Sequence, residues 1–124
     1  MKDINKIVLR GELIRDAVFS HTPRGRAVTT FTIAFDNSNL DFGGSRNNKG
    51  FIDVIYFSDK LSPQAQLLQK SKNIVVEGRL QQRNWRTSEG IQKRKTEIVA
   101  ENISFTDWLR LQAGFRSERG SFII

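Results

Sequence analysis

Apolar and polar positions alternate along most of this chain, in short runs interrupted by glycine. From Ile4 to Leu13 the apolar row is Ile7, Leu9 and Leu13, with Gly11 in the same register. A period of two is the mark of a half-buried strand, and a glycine inside one marks a bulge or a sharp bend. A strand bent that hard can serve two sheets at once. Val28 to Asp36 reads as a second strand, with Phe31, Ile33 and Phe35 on one face and Thr30, Thr32 and Ala34 on the other. Phe51 to Phe57 reads as a third. Phe51, Asp53, Ile55 and Phe57 share one face; Ile52, Val54 and Tyr56 share the other. Both rows are largely apolar, so either the strand is buried on both sides or one row is an exposed aromatic surface.

Asn73 to Trp85 reads as a fourth strand, opening on Ile74, Val75 and Val76, with Gly78 as a second bend. Past that bend Arg79, Gln81, Arg83 and Trp85 fall on one face and Leu80, Gln82, Asn84 and Arg86 on the other. Thr87-Ser88-Glu89-Gly90 has the composition of a hairpin tip. Ile91 to Phe105 then returns as a fifth strand, with Ile98, Val99, Ala100, Ile103 and Phe105 as its core end.

The connections differ in kind. Thr22-Pro23-Arg24-Gly25 has Pro second and Gly fourth, as a tight turn requires. Asn37 to Gly50 holds four Asn and three Gly without apolar period, and is expected to be a mobile loop. Ser62-Pro63 predicts a helix to about Lys70, with Ser as N-cap, Pro at the first position, and Leu67 and Leu68 docking it. Residues 106–124 show no strong pattern, although Trp108 is placed to pack the last strand. The chain is therefore expected to divide into a domain at 1–105 and a short tail at 106–124. Three strands, a helix and two strands is the order of the OB-fold, an all-β, five-stranded Greek-key barrel with one short helix.

Charge changes the picture. The 124 residues carry a net charge of +7, which calls for a polyanionic partner: nucleic acid first, an anionic membrane surface second. There is no cysteine and one histidine, His21, which removes disulfide scaffolds, thiol nucleophiles and most zinc sites. No apolar run approaches the ~20 residues that span a bilayer, and Met-Lys-Asp-Ile-Asn lacks a signal-peptide core. A cytoplasmic, nucleoid-associated protein without membrane contact is expected.

Much of that charge gathers where an aromatic ring also sits. Between Arg79 and Lys95 six basic side chains (Arg79, Arg83, Arg86, Lys93, Arg94, Lys95) surround Trp85, against one acid, Glu89. Cations track phosphates and rings stack on unpaired bases, each base contributing roughly 1–3 kcal/mol. Core tryptophans rarely have neighbours as polar as Asn84 and Arg86, whereas Phe51 and Phe57 fit a core as well as they extend a platform. Phe42 and Lys49 add a ring and a charge from the loop. The expected DNA-binding set is Trp85, Phe51, Phe57, Arg79, Arg83, Arg86, Lys93, Phe42 and Lys49. Catalysis has little support. Asp53 near Arg79 or Arg83 would imitate a nuclease pair, but an Asp on a strand is more often an ion-pair partner. Gly43 and Gly44 are followed by Ser45 and Arg46, not by the Gly-Lys-Ser/Thr of a phosphate loop. No catalytic residue, metal or cofactor is expected.

Several segments, in this order and spacing, resemble one family. They are Asn5 to Leu13, Thr22 to Val28, Phe31 to Ala34, Val76 to Leu80, Trp85, and Thr96 to Ala100. Together they are similar to the bacterial-type single-stranded DNA-binding proteins of replication, recombination and repair. The resemblance implies an OB-fold, a homotetramer or homodimer, and sequence-independent wrapping of single strands. It also implies stacking roles for Trp85, Phe51 and Phe57. A further family tryptophan falls near Asn39, where this chain has no ring; Leu40 and Phe42 are the nearest apolar residues. The acidic tip through which the family recruits replication proteins has no match, since the tail carries Arg110, Arg116 and Arg119 against Asp107 and Glu118. Two other readings of the same barrel are an accessory protein-interaction module of the primosome type and an RNA-binding module.

Overall fold

The computed structural model describes residues 2–37 and 48–106. Six strands form: β1 (Ile7–Leu13), β2 (Val18–His21), β3 (Ala27–Asp36), β4 (Lys49–Ser58), β5 (Asn73–Arg86) and β6 (Gln92–Phe105). Their order is β1-β5-β6-β4-β3-β2, and β1 also pairs with β3. That extra pairing closes five strands into a barrel, the expected OB-fold architecture. The chain's strands are antiparallel except where β6 runs parallel to β4, at Asp53–Glu97, Val54–Ile98 and Ile55–Val99.

Both expected bends are present, and each has the same cause. Ile7 to Glu12 pair with β5, then Glu12 and Leu13 pair with β3, so β1 turns from one neighbour to the other at Gly11. A Cβ on Gly11 would lie 2.7 Å from the Ala34 carbonyl oxygen. The β5–β6 register slips between Glu77 and Gly78, and a Cβ on Gly78 would lie 2.1 Å from the Val99 carbonyl oxygen. These backbones approach closer than any side chain permits. Inside the barrel Leu13, Phe31, Ile33, Val54, Ile74, Val76, Ile98 and Ile103 pack as one core, closed at one end by Ala65 and Leu68.

One turn is built twice. In Thr22–Arg26 the Thr22 amide donates to the Arg26 carbonyl (2.9 Å), the Gly25 amide to the Thr22 carbonyl (2.8 Å), and the Arg26 amide to Thr22 Oγ1 (3.1 Å). Thr87, Gly90 and Ile91 repeat all three bonds at 2.9, 2.9 and 3.1 Å. Gly25 and Gly90 adopt φ of 90° and 85°, the left-handed position of a three-residue hairpin loop. The second copy sets the register of the long β5–β6 ribbon.

Two expectations are corrected. Ser62 does cap a helix, its Oγ accepting from the Gln64 amide, but only a single 3-10 turn forms, Pro63–Leu67, and not a helix to Lys70. Side chains three apart eclipse in a 3-10 turn. Ala65 and Leu68 therefore go inward together, while Leu67, expected to dock, is 47% exposed. The Lys70 amide, which an α-helix would direct to the Gln66 carbonyl, donates instead to Asp16 Oδ1 at 2.8 Å. Strand β2 went unpredicted because all four of its residues are exposed and carry no burial period; it is held by hairpin pairing to β3. The loop expected at 37–50 is shortened by β4, which starts at Lys49. Phe42, Leu40, Arg46 and Trp108 lie outside the described residues.

Gly78→Ala is expected to cost about 3 kcal/mol of stability in urea unfolding, because backbone rather than a movable side chain occupies the Cβ position. Gly90→Ala meets nothing within 4 Å, so it should cost only about 1 kcal/mol for its left-handed φ.

Candidate nucleic-acid interface

Strand pairing decides which side chains share a surface, because residues directly opposite one another point the same way. Asp53 stands opposite both Thr32 and Glu97, and Glu97 opposite Gln81. Ile55 stands opposite Thr30 and Val99, and Val99 opposite Arg79. The odd-numbered residues of β4, of β5 beyond Gly78 and of β6 as far as Val99 thus form one continuous outer face, while Val54 and Ile98 point into the barrel, as does Ile103 past the register slip. The third strand resolves into the second of its two readings. Its row Phe51, Asp53, Ile55 and Phe57 faces outward, and Phe51 is 61% exposed.

The rings divide between the ends of this face. Beyond Gly78, residues 79–86 of β5 pair with β6 alone, making a two-stranded arm. Asn5 braces its base: Asn5 Nδ2 donates to the Leu80 carbonyl and the Leu80 amide to Asn5 Oδ1, both at 2.9 Å. Trp85, 43% exposed, rides the arm opposite Lys93, and the Arg83 guanidinium lies 5.6 Å from its ring centre. Phe51 and Lys49 sit at the same end, where β4 begins. Phe57 lies at the other end, six residues or about 20 Å along the strand. There Arg26 stands 5.8 Å from the Phe57 ring centre, beside a shallow hollow of about 430 Å³ walled by Thr22, Pro23 and Arg24. A cation over a ring face is attracted by its quadrupole and limits the ring's freedom.

Between the two ends lies a cleft of about 240 Å³. Its six charges balance, Arg15, Arg83 and Lys95 against Asp16, Asp53 and Glu97, and two ion pairs join four of them. Arg83 Nε donates to Glu97 Oε1, and Lys95 Nζ lies 2.5 Å from Asp53 Oδ2. The Thr32 hydroxyl donates to Asp53 Oδ1, and Arg15 Nη2 approaches Thr32 Oγ1 at 3.5 Å. Glu97 is 3% exposed, so its carboxylate depends on Arg83 for compensation. Partial burial of Asp53 favours its neutral form, but hydrogen bonds from Lys95 and Thr32, with the charges of Lys95 and Arg15, outweigh it. The carboxyl is held below its usual range. Asp53 is therefore an ion-pair partner of Lys95 and not the acid of a nuclease pair with Arg79 or Arg83. Among the described residues no group of three or more His, Cys, Asp or Glu is placed to hold a metal ion.

The structure brings Trp85, Phe51, Phe57, Arg79, Arg83, Lys93 and Lys49 onto one face. It does not bring Arg86, which points to the reverse of the arm with Arg94; there Arg86 Nη1 donates to the Gly90 carbonyl at 3.4 Å. Lys95, Arg15 and Arg26 belong to the face but were not singled out from the sequence. Lys95 had a signal, since it shares the parity of Lys93 and the hairpin tip places it opposite Arg83. Arg15 and Arg26 had none, because they stand outside the strands.

Residues 4–106 match the profile of the single-strand binding protein family. The "Single-stranded DNA-binding protein" of Clostridium tetani is 34% identical over 106 residues, 85% of this chain and 72% of that protein. Its namesake in Bacillus cereus is 34% identical over 119 residues, 96% of this chain and 68% of that one. A solved structure, "Plasmodium falciparum SSB complex with ssDNA", superposes with a TM-score of 0.73 over 85% of this chain and 96% of its own, at 23% identity. That likeness supports the fold.

Because the folded carboxyl of Asp53 titrates below its unfolded value of about 3.9, its contribution is complete above that value and is lost as pH falls through the folded one. The stability gap between wild type and Asp53→Asn is expected to hold steady from pH 7 to about pH 5 and to close below about pH 4. Urea midpoints measured across that range check it.

Proposed function

The chain belongs to the single-strand binding protein family, and from that premise we propose that it binds single-stranded DNA without reading sequence, protecting it during replication, recombination and repair. The observation that carries this reading is the outer face, where Trp85, Phe51 and Phe57 are presented together with Arg79, Lys93 and Lys49. Rings at both ends offer stacking surfaces to any base, and the cations draw in the phosphates. The Clostridium tetani and Bacillus cereus relatives are single-stranded DNA-binding proteins by name. Membership makes the protein a binder and not an enzyme. The division expected from the sequence, a domain at 1–105 and a tail at 106–124, is part of this reading. No helix among the described residues is long and apolar enough to cross a membrane; the nucleoid location belongs to the proposed DNA binding.

Assembly as a homotetramer or homodimer is part of the proposal. Two features support it: β1 pairs with β3 only at Glu12 and Leu13, leaving one edge of Ile7 to Gly11 unpaired, and Val8 and Ile4 beside that edge are 55% and 93% exposed. An unpaired edge with exposed apolar residues invites another chain. Light scattering with and without oligo-dT reports the copy number directly.

The wild-type chain is expected to bind oligo-dT far more tightly than duplex of equal length. Trp85→Ala should weaken that binding by roughly 1–3 kcal/mol with its thermal midpoint preserved. Equal affinity for duplex would contradict the reading, and an unfolded Trp85→Ala would place the ring in a structural role.

A further inference from the structure

Arg15 and Arg26 aside, the cations of the face fall into two groups. Arg83 and Lys95, at its centre, are each matched by a carboxylate, Glu97 and Asp53. Arg79, Lys93 and Lys49, around them, form no ion pair with any described residue. A phosphate approaching Lys95 must displace Asp53, whose second oxygen is held by Thr32. One approaching Arg83 meets Glu97, a buried carboxylate with no other cation paired to it. The third cation of the cleft, Arg15, is offset by its third carboxylate, Asp16, and the remaining wall offers the apolar Val18 and Ile55 and the hydroxyl of Thr30. A flat, uncharged base suits that surface; a phosphodiester does not.

We propose that the central cleft is a base subsite from which phosphates are excluded, with Asp53 and Glu97 as the residues that enforce the exclusion. The strand then lies with its bases turned in between the Trp85 end and the Phe57 end. Its backbone follows Arg79, Lys93 and Lys49. Arg83 acts on the Trp85 ring and not on DNA charge, and Lys95 serves to hold Asp53. This rests on the single-stranded DNA reading above and adds an orientation to it.

The test is the salt dependence of oligo-dT binding by the full chain, read as the slope of log affinity against log salt. Each phosphate neutralised on a single strand contributes about 0.7 to that slope. Lys93→Gln is expected to lower it by about 0.7, whereas Lys95→Gln should leave it unchanged. Asp53→Asn, which frees Lys95, should steepen it by about 0.7, and adding Lys95→Gln should abolish that gain. A Lys95→Gln slope reduced as far as that of Lys93→Gln would place a phosphate on Lys95 and overturn the proposal. So would an Asp53→Asn slope equal to wild type. The two lysine variants keep the test decisive if Asp53→Asn does not fold. A wild-type chain that fails to bind oligo-dT at any salt would overturn the function itself, an outcome distinct from either slope result.

Discussion

At Gly78 the backbone of β5 passes so near Val99 that a methyl group would strike its carbonyl, and Gly11 makes the same approach to Ala34. These two contacts allow five short strands to close on themselves. Without the bend at Gly11, β1 could not leave β5 for β3. Without the slip at Gly78, β5 could not pass from the barrel wall into the arm that carries Trp85. Closure also settles a difficulty of small all-β chains, because strand edges left open pair with other chains. Here one stretch of β1 stays unpaired, and it is the stretch on which the proposed assembly rests.

Once the barrel is closed, strand parity distributes the chemistry. In the five barrel strands one row fills the core and the other faces outward, while β2 is exposed on both faces. The outward row is neither uniformly basic nor uniformly apolar. It has stacking rings at its ends, matched charges at its centre, and unmatched cations around them. Arg83 links two of these regions, with its guanidinium over Trp85 and its Nε on Glu97. The buried carboxylate thus holds in place the cation that restrains the ring. A surface made only of positive charge would attract DNA without orienting it, whereas matched charges leave direction to the rings.

Much of this was legible in the sequence, and the reasons are specific. Strands β1, β3, β4, β5 and β6 follow from a period of two, and the bends at Gly11 and Gly78 from glycine inside that period. Trp85, Arg79, Arg83 and Lys93 share a face because parity and a recognisable hairpin tip fix their register. Arg86 has the opposite parity to Trp85, so its place on the reverse side is readable from parity, whereas charge alone groups it with Arg83 and Lys93. Other features had no local signal. Whether Phe51 and Phe57 face core or solvent depends on what lies across β4, and two apolar rows look alike from within one strand. The pairing of Lys95 with Asp53 joins residues on β6 and β4 that meet only through the parallel register. The helix stops at one 3-10 turn because a distant carboxylate, Asp16, takes the Lys70 amide.

The central claim is that bases stack on the outer face of β4 and the β5–β6 arm. Photocrosslinking with an oligonucleotide carrying 5-bromodeoxyuridine, followed by mass spectrometry of the adducts, tests it most directly. Adducts at Trp85, Phe51 and Phe57 are the result this account predicts. Adducts confined to Val8, Arg10 or the reverse side of the arm would contradict it.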